Sequence, residues 1–586
     1  MEQDNKRNLD CKLYLMYEFK KKINNENNAL YQITNPGIQE LIDDYIDIYH
    51  EINIDSNDKL IAAKKDILGS IKHFANKCSI VKDEKYKKEF EIIINDITKI
   101  LEGNFEKDEK RFFRAMSSIK KKIEGDNIFE IIIKNINDII SFDNIEAIID
   151  ELISEALHEG YSIEYLSNWY NKNIFLKDAN EENIDNQLIK FKELKKDKEK
   201  INIYISIKGL KSNIKELEKI NISNDICLVK VDVDNIDDKL KFLSTSGDSV
   251  AYSCYITAQD IFKALQTLFD KFNSYFEVLN FIEKTQPEIL EHIVYTQNDI
   301  YNNLRYKYEF NDKLFKNIER KEKQDAIDFI KYRDAVLNSN INYEEVLALQ
   351  RSTNIIRSNN TIFDENKLIA TWTSIEYILT FNNRTSIISN ILNIVPKIIS
   401  LYYIKEKINV FWSRFDKYKD YNDETKEFRN SITKQENIDE YDLNKFISYI
   451  KENENKISEL MKFNKVLYRE ICQIGSLLEM NNLHKQLLDK EADIKNDLIR
   501  IYRTRNKIIH SGKYEDDNIN IKTLRLIKYA NHLIALIIYY KSKNPYLKTD
   551  EILNSIELTY ENHLDNIKSK CIDKYQICKP KYLFIE

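Results

Sequence analysis

Apolar residues recur along most of the chain at the three- and four-residue steps that place side chains on one face of a helix. An early stripe of this kind consists of Phe90, Ile93, Ile94, Ile97, Ile100 and Leu101. Helix-breaking residues are sparse: the chain has 9 Gly and 5 Pro, and no Gly occurs between Gly247 and Gly475. Such sparse punctuation favours long helices. The pattern therefore predicts a mainly α protein.

The pattern changes from helical to alternating near residue 200. Polar residues there separate four isoleucines: Ile201, Ile203, Ile205 and Ile207. Alternation of this kind is typical of a strand with one buried face. Segments 228–233 and 250–256 also have strand character. We therefore expect a small α/β module in the middle of an otherwise helical chain.

Changes of pattern along the chain predict several domains, as the length of 586 residues also does. The predicted layout is a helical N-terminal domain (1–195), the α/β module (200–262), a helical connector (263–342), a C-terminal helical bundle (346–545) and a tail (546–586).

Two charged residues interrupt apolar stripes in the C-terminal part. One stripe contains Arg505 among Ile494, Leu498, Ile501 and Ile508. The other contains Glu376 among Ile369, Trp372 and Leu379. Buried charges are tolerated mainly when they are paired. We therefore expect Glu376 to accept hydrogen bonds from Arg505 across two packed helices, with Arg384 or Arg503 as competing partners.

Arg505 is followed by two further residues with chemical potential, Asn506 and His510. The helical pattern that contains them begins near Glu491, and Ser511-Gly512 is a suitable helix stop. Asn506 and His510 are four residues apart and share one face of this helix, beside the face of Arg505. A permanent cation, an amide and a titratable imidazole thus lie within about one and a half helical turns.

Arg505, Asn506 and His510 resemble, position for position, the RNA-cleaving motif of the HEPN superfamily (higher eukaryotes and prokaryotes nucleotide-binding), which is Arg, a polar residue, three further residues and His. The surrounding segments resemble the helical bundle of the Apea-like HEPN group of bacterial phage-defence proteins; they lie around 372–379 and at 386–404 and 519–540. Segment 153–175, with Gly160-Tyr161-Ser162 at its centre, resembles a stretch that precedes such domains in long defence proteins.

The resemblance implies an endoribonuclease that works as a homodimer, with two Arg and two His facing one RNA-binding cleft. His510 would be the general base on a ribose 2′-hydroxyl or the general acid on the leaving 5′-oxygen, and imidazole suits both roles near neutral pH. Arg505 would offset charge in the transition state, and Asn506 would orient His510 or the phosphate. No metal or cofactor is required. Transfer RNA is one candidate substrate, and a phage-derived trigger or regulatory partner is expected.

The same residues also have simpler explanations. A histidine near a helix C-terminus is often a favourable partner of the helix dipole, and Glu376 could serve only to close the bundle. The main rival function is a non-catalytic HEPN module that binds a nucleotide or RNA end, or mediates assembly. A structural scaffold without a nucleic-acid partner would lack a basic patch near Arg505. Metal-free RNA cleavage that depends on His510 separates catalysis from binding.

Composition narrows the class of protein further. The net charge of −7 argues against a surface that coats nucleic acid indiscriminately, although a local basic cleft remains compatible with it. Neither GxxxxGK nor GxGxxG occurs, so the standard signals of nucleotide cofactor sites are missing. Seven scattered Cys without a CxxC pair indicate reduced thiols. The sequence begins with polar and charged residues at Met1, and the longest apolar run, 533–540, is too short to cross a bilayer. These features predict a cytoplasmic protein without a membrane segment.

Overall fold

The computed structural model describes residues 2–24, 35–54, 58–102, 109–136, 145–174, 183–210, 212–231, 249–283, 287–295, 300–302, 343–357, 365–380, 386–433, 441–453, 460–511, 519–544 and 546–570. Within these ranges the chain is mostly helical and contains one small antiparallel sheet. The predicted fold class is confirmed at this level. Arg384, one of the predicted partners of Glu376, lies outside the described residues.

The helices of the N-terminal and middle parts are α1 (Glu2–Ile23), α2 (Ile38–Ile54), α3 (Asp58–Ala75), α4 (Ser79–Lys82), α5 (Lys87–Leu101), α6 (Glu109–Glu124), α7 (Ile128–Ile136), α8 (Ile145–His158), α9 (Ile163–Asn173), α10 (Ile184–Ile189), α11 (Ser212–Lys215) and α12 (Ile261–Glu283). The strands are β1 (Glu199–Lys208), β2 (Lys219–Asn221), β3 (Cys227–Lys230), β4 (Ser249–Ala258), β5 (Glu288–Tyr295) and β6 (Ile300–Asn302).

The helices of the C-terminal part are α13 (Tyr343–Arg357), α14 (Glu365–Leu379), α15 (Ile387–Phe415), α16 (Asp423–Ile432), α17 (Leu443–Glu452), α18 (Lys465–Leu477), α19 (Met480–Ser511), α20 (Ile519–Lys543) and α21 (Thr549–Lys568). Short 3-10 helices lie at Lys190–Leu194, Asp416–Tyr418 and Met461–Phe463.

The chain forms two compact units that each combine separate stretches of sequence. Unit 1 comprises Met1–Lys122, Asn135–Glu151 and Phe310–Glu586, and unit 2 comprises Ile123–Lys134 and Leu152–Glu309. The first helices of the chain therefore share a unit with the C-terminal helices. The boundaries of these units differ from those of the five predicted segments. The predicted domain layout stays a prediction.

Unit 2 is built around a six-stranded antiparallel sheet in the order β2-β3-β4-β1-β5-β6. Strand β1 is central, and its Ile203 pairs with Cys254 of β4 and Val294 of β5. The alternating isoleucines of β1 are buried and share a core with the apolar side of α12. Strands β5 and β6 extend the sheet into the stretch for which the sequence predicted only helix.

The segment Gly160-Tyr161-Ser162 lies where the carboxylate of Asp260 connects the starts of α9 and α12 in unit 2. Gly160 has a φ of 96°, a left-handed conformation that favours glycine. Ser162 caps α9 by accepting a hydrogen bond from the amide of Tyr165 at 3.1 Å. Asp260 caps α12 and also accepts hydrogen bonds from the amide and hydroxyl of Ser162 at 2.7 and 2.9 Å. The segment therefore has a structural role in this chain.

Helix α15 lies at the centre of unit 1 and packs against α14, α18, α19, α20 and α21. Ser386 caps its first turn, where the sequence predicted the helix to begin. Including its 3-10 extension, Ile387–Tyr418 is the one helix among the described residues that is long and apolar enough to cross a membrane. No membrane segment was predicted at this position, and 61% of the apolar window is buried in the protein. Helix α15 is therefore a core element of unit 1.

Buried ion pairs tie α1 to the C-terminal helices inside unit 1. The Arg414 guanidinium on α15 lies 2.8 Å from Glu18 of α1 and 2.6 Å from Glu470 of α18. Burial alone would raise the pKa of Glu18, but Lys21 and Arg414 outweigh it and hold this pKa well below its usual range. The cation is thus shared by two carboxylates and links three helices.

Candidate functional site

Helix α19 carries the predicted motif and owes its length to a continuous buried stripe. Its fully buried members are Leu483, Leu487, Ile494, Leu498 and Ile501. The steps of three, four and seven residues between them extend the stripe upstream, so the helix begins at Met480 rather than near Glu491. Its last described residue is Ser511, and Gly512 of the predicted helix stop lies outside the described residues. Its C-terminal half packs against α14 and α20.

Arg505 and Glu376 come together between α19 and α14, but as an ion pair without the expected hydrogen bonds. The Nη2 atom of Arg505 lies 3.8 Å from Oε2 of Glu376, which exceeds hydrogen-bond distance. Their side chains are 21% and 28% exposed, so both charges lie at the rim of the core. The buried stripe of α14 runs instead through Leu368, Trp372, Ile375 and Leu379.

Two neighbours fix the orientation of this pair. The indole Nε1 of Trp372 donates a hydrogen bond to Oε1 of Glu376 at 2.8 Å, and the Trp372 ring lies 5.2 Å from the ring of Tyr502. The Nη1 atom of Arg505 donates to Oδ1 of Asn506 at 3.0 Å. The guanidinium is therefore held from two sides, its Nε is buried, and the side chain as a whole is 21% exposed.

His510 lies in the last turn of α19, four residues after Asn506. The position of its side chain is outside what the structure describes. The structure therefore brings together Arg505, Asn506 and Glu376, and it places His510 only by its position along the helix. The roles assigned to these residues stay predictions.

Arg503 does not compete for Glu376, contrary to one of the expectations. Its Nη1 lies 3.3 Å from Oδ1 of Asp44 and donates to the Asp44 backbone carbonyl at 2.9 Å. Asp44 belongs to α2, whose acidic residues face this part of α19. Because Arg503 and Arg505 are two residues apart on a helix, they point in different directions, and only Arg505 reaches α14.

Further cations line the same side of α19 and the start of α20, and all of them meet carboxylates of α2. Arg500 contacts Glu40, Lys522 lies 3.0 Å from Glu40, and Lys507 lies 2.7 Å from Asp47. Burial alone would lower the pKa of Arg500, but Glu40 and the other nearby carboxylates outweigh it, and the net pKa is raised. The array could not be predicted from local patterns because its two halves are more than 450 residues apart in the sequence.

A buried carboxylate below this array fastens α19 to α20. Arg525 donates from Nε and Nη2 to both oxygens of Asp497, at 2.9 and 2.6 Å, and the Tyr529 hydroxyl donates to Oδ2 of Asp497 at 2.8 Å. Burial raises the pKa of Tyr529, and the charge of Asp497 adds to that effect. The burial of Asp497 could have been predicted, because it lies three residues after Ile494 and four before Ile501 on the buried stripe. Its partner Arg525, on another helix, could not.

Comparison with protein-family models, with curated proteins and with solved structures finds no match to this chain. The resemblance to the HEPN superfamily therefore rests on the motif residues and their helical surroundings. Among the described residues, no group of three or more His, Cys, Asp or Glu side chains is placed to hold a metal ion.

Proposed function

We propose that the chain is a metal-independent endoribonuclease of the HEPN type, with Arg505, Asn506 and His510 as its catalytic residues and Glu376 as a positioning residue. It acts in the cytoplasm as a homodimer, as an anti-phage or toxin-like effector that cleaves RNA, with transfer RNA as one candidate substrate. A phage-derived molecule or regulatory partner triggers it.

The observation that carries the proposal is the setting of Arg505. Its guanidinium is held by Asn506 at 3.0 Å and by the charge of Glu376 at 3.8 Å, while the Arg505 side chain as a whole is 21% exposed. A cation needed only for packing would be covered or would extend into solvent. A fixed, accessible fork of donors suits a phosphate whose charge grows during the reaction.

The chemistry follows from the residue types. His510 removes the proton from a ribose 2′-hydroxyl, or protonates the departing 5′-oxygen, while the 2′-oxygen attacks the adjacent phosphorus. Arg505 offsets the negative charge that accumulates on the non-bridging oxygens. The bond to the 5′-oxygen breaks, so the products carry a 2′,3′-cyclic phosphate and a 5′-hydroxyl.

The decisive experiment compares purified wild type with His510→Ala on total RNA, in buffer that contains EDTA. His484→Ala is the matched control, because His484 lies on the same helix near its other end. We expect wild type and control to cleave RNA and His510→Ala to be inactive. Arg505→Lys, which keeps the charge but loses the planar fork, should also be inactive.

Three outcomes would contradict the proposal. Cleavage by His510→Ala equal to wild type would remove the assigned chemistry, as would cleavage of RNA that has 2′-deoxyribose at the cut site. Loss of wild-type cleavage in EDTA would show that a metal ion takes part. Specific RNA binding without any cleavage would favour the non-catalytic HEPN module.

A further inference from the structure

Helix α2 has one apolar and one acidic side. Its apolar side packs within unit 1, where for example the Tyr45 ring meets Phe112 of α6 edge-to-face at 5.1 Å. On the opposite side, Glu40, Asp44 and Asp47 form a row with steps of four and three residues. The row faces α19 and α20, and its carboxylates form ion pairs with both helices.

Each carboxylate of this row contacts a cation of the motif helix or of α20. Glu40 contacts Arg500 and Lys522, Asp44 contacts Arg500 and Arg503, and Asp47 contacts Lys507. Four cations thus face three carboxylates.

The cations are also incompletely satisfied by α2. The Nε and Nη1 atoms of Arg500 and the Nε and Nη2 atoms of Arg503 are buried and find no hydrogen-bond acceptor in the described part of the chain. A buried guanidinium N–H without an acceptor is costly. This array therefore offers more donors than the three carboxylates use, and a phosphate with several acceptor oxygens would satisfy more of them.

The row of cations lies beside the proposed catalytic residues. Arg503 precedes Asn506 by three residues, which makes their side chains neighbours on α19, and Lys507 precedes His510 by three positions along the same helix. On α2, a helical rise of about 1.5 Å per residue separates successive carboxylates by roughly 4.5 to 6 Å along the axis. Three anions at regular intervals, directly next to the motif, have the charge pattern of a nucleic-acid backbone.

We propose that Arg500, Arg503, Lys507 and Lys522 form a binding strip for an RNA backbone, and that α2 occupies this strip as an internal phosphate mimic. RNA and α2 compete for the same cations, so α2 must be displaced before RNA engages the strip. The identity of the ligand as RNA rests on the proposed function. The competition itself requires only a polyanion.

The test neutralises the row with the triple variant Glu40→Gln, Asp44→Asn, Asp47→Asn in a His510→Ala background, so that RNA is bound and not cut. The matched control neutralises three carboxylates of α5 and its C-terminus: Glu89→Gln, Glu91→Gln, Glu102→Gln. The probe is fluorescein-labelled single-stranded RNA, titrated at several salt concentrations, with circular dichroism as the check of folding. Heparin is titrated as a second polyanion.

We expect the α2 variant to bind RNA at least about tenfold more tightly than the control. Because each additional phosphate contact on a single strand steepens the salt dependence by about 0.7, the four freed cations should steepen the slope of log K against log salt by about 3. Equal affinity and slope in a folded α2 variant and its control would overturn the proposal and leave α2 as a structural clamp.

A variant that fails to fold does not end the test, because Asp47→Asn alone removes a carboxylate that is 55% exposed. This variant should steepen the salt slope by about 0.7. A slope equal to that of a control with one α5 carboxylate neutralised, such as Glu91→Gln, would overturn the proposal. The two proposals fail separately. If the α2 variant binds heparin and RNA more tightly than its control but the wild type does not cleave RNA, the binding strip is supported and the nuclease is refuted. If cleavage depends on His510 but the α2 variant binds no more tightly, the nuclease is supported and the binding strip is refuted.

Discussion

Arg505→Ala should abolish cleavage while lowering the free energy of unfolding only slightly. Two unit charges about 4 Å apart attract by about 1 kcal/mol in water and about 4 kcal/mol at an effective dielectric constant of 20. Arg505 and Glu376 are 3.8 Å apart and 21% and 28% exposed, so solvent screens them, and we expect a net contribution of about 0.5–1 kcal/mol. The hydrogen bond to Asn506 adds about 1 kcal/mol. The total loss is then about 1.5–2 kcal/mol, below the 3–5 kcal/mol typical of breaking a buried pair.

Arg525→Ala supplies the contrast on the same helix pair. Arg525 and Asp497 have side chains that are 6% and 0% exposed and share two hydrogen bonds. Removal of the guanidinium strands a buried carboxylate, so the loss should reach about 3–5 kcal/mol. The two arginines therefore differ in stability effect by their burial, although both pair with one carboxylate.

The assay is urea denaturation followed by tryptophan fluorescence in a Trp169→Phe background. The remaining tryptophans, Trp372 and Trp412, both lie in unit 1, so the signal reports the unit that contains the motif. A double-mutant cycle of Arg505→Ala with Glu376→Gln isolates the pair, because Gln keeps an acceptor for Trp372. A coupling energy above about 3 kcal/mol, or a loss for Arg505→Ala as large as for Arg525→Ala, would refute the reasoning that places this pair at the solvent-screened rim.

Two further predictions concern buried ionisable groups of unit 1. Burial lowers the pKa of His563 to about 4. Between about pH 6.5 and about pH 4 the unfolded chain therefore binds a proton that the folded chain does not, and the free energy of unfolding should fall by about 3 kcal/mol as the pH drops across this range. His563→Gln should flatten this part of the profile of stability against pH, and an unchanged profile would contradict the assignment. Arg414→Met should cost about 3 kcal/mol, the lower end of the range for a broken buried pair, because Glu18 and Glu470 keep the more distant Lys21 amine at 3.5 and 3.8 Å. Added Glu18→Gln should recover part of the loss, and a simple sum of the two losses would contradict the network.

The sequence predicted those features that depend on local spacing. Arg505 stood out because a guanidinium occupied a position of the apolar stripe, and the same argument selected Glu376 as its partner. The structure places the two side chains near each other because α14 and α19 pack together. The start of α20 at Ile519 could also be predicted from local spacing, because the helical pattern of apolar residues begins there.

Features that depend on contacts between distant segments could not be predicted. The apolar residues of β5 at Ile289, Leu290, Ile293 and Val294 have a spacing that also suits a helix, and the segment is a strand because the free edge of β1 pairs with it. Arg503 faces Asp44 rather than Glu376 because α2 lies alongside α19, and no local pattern reports this arrangement. The buried position of the charged array likewise follows from packing alone.

The position of α3 beside α2 limits how far the C-terminal half can act as a transferable module. Ser70 of α3 donates to Asn496 at 2.7 Å, and His73 lies 2.6 Å from Asp493. A fragment that begins at residue 346 would lose these contacts along with every carboxylate of α2, and its motif helix would present uncompensated charge and newly wetted polar groups. The motif helix α19 thus depends on α2 and α3 for its packing. Transfer of the catalytic segment into another protein would therefore require the beginning of the chain as well as its end.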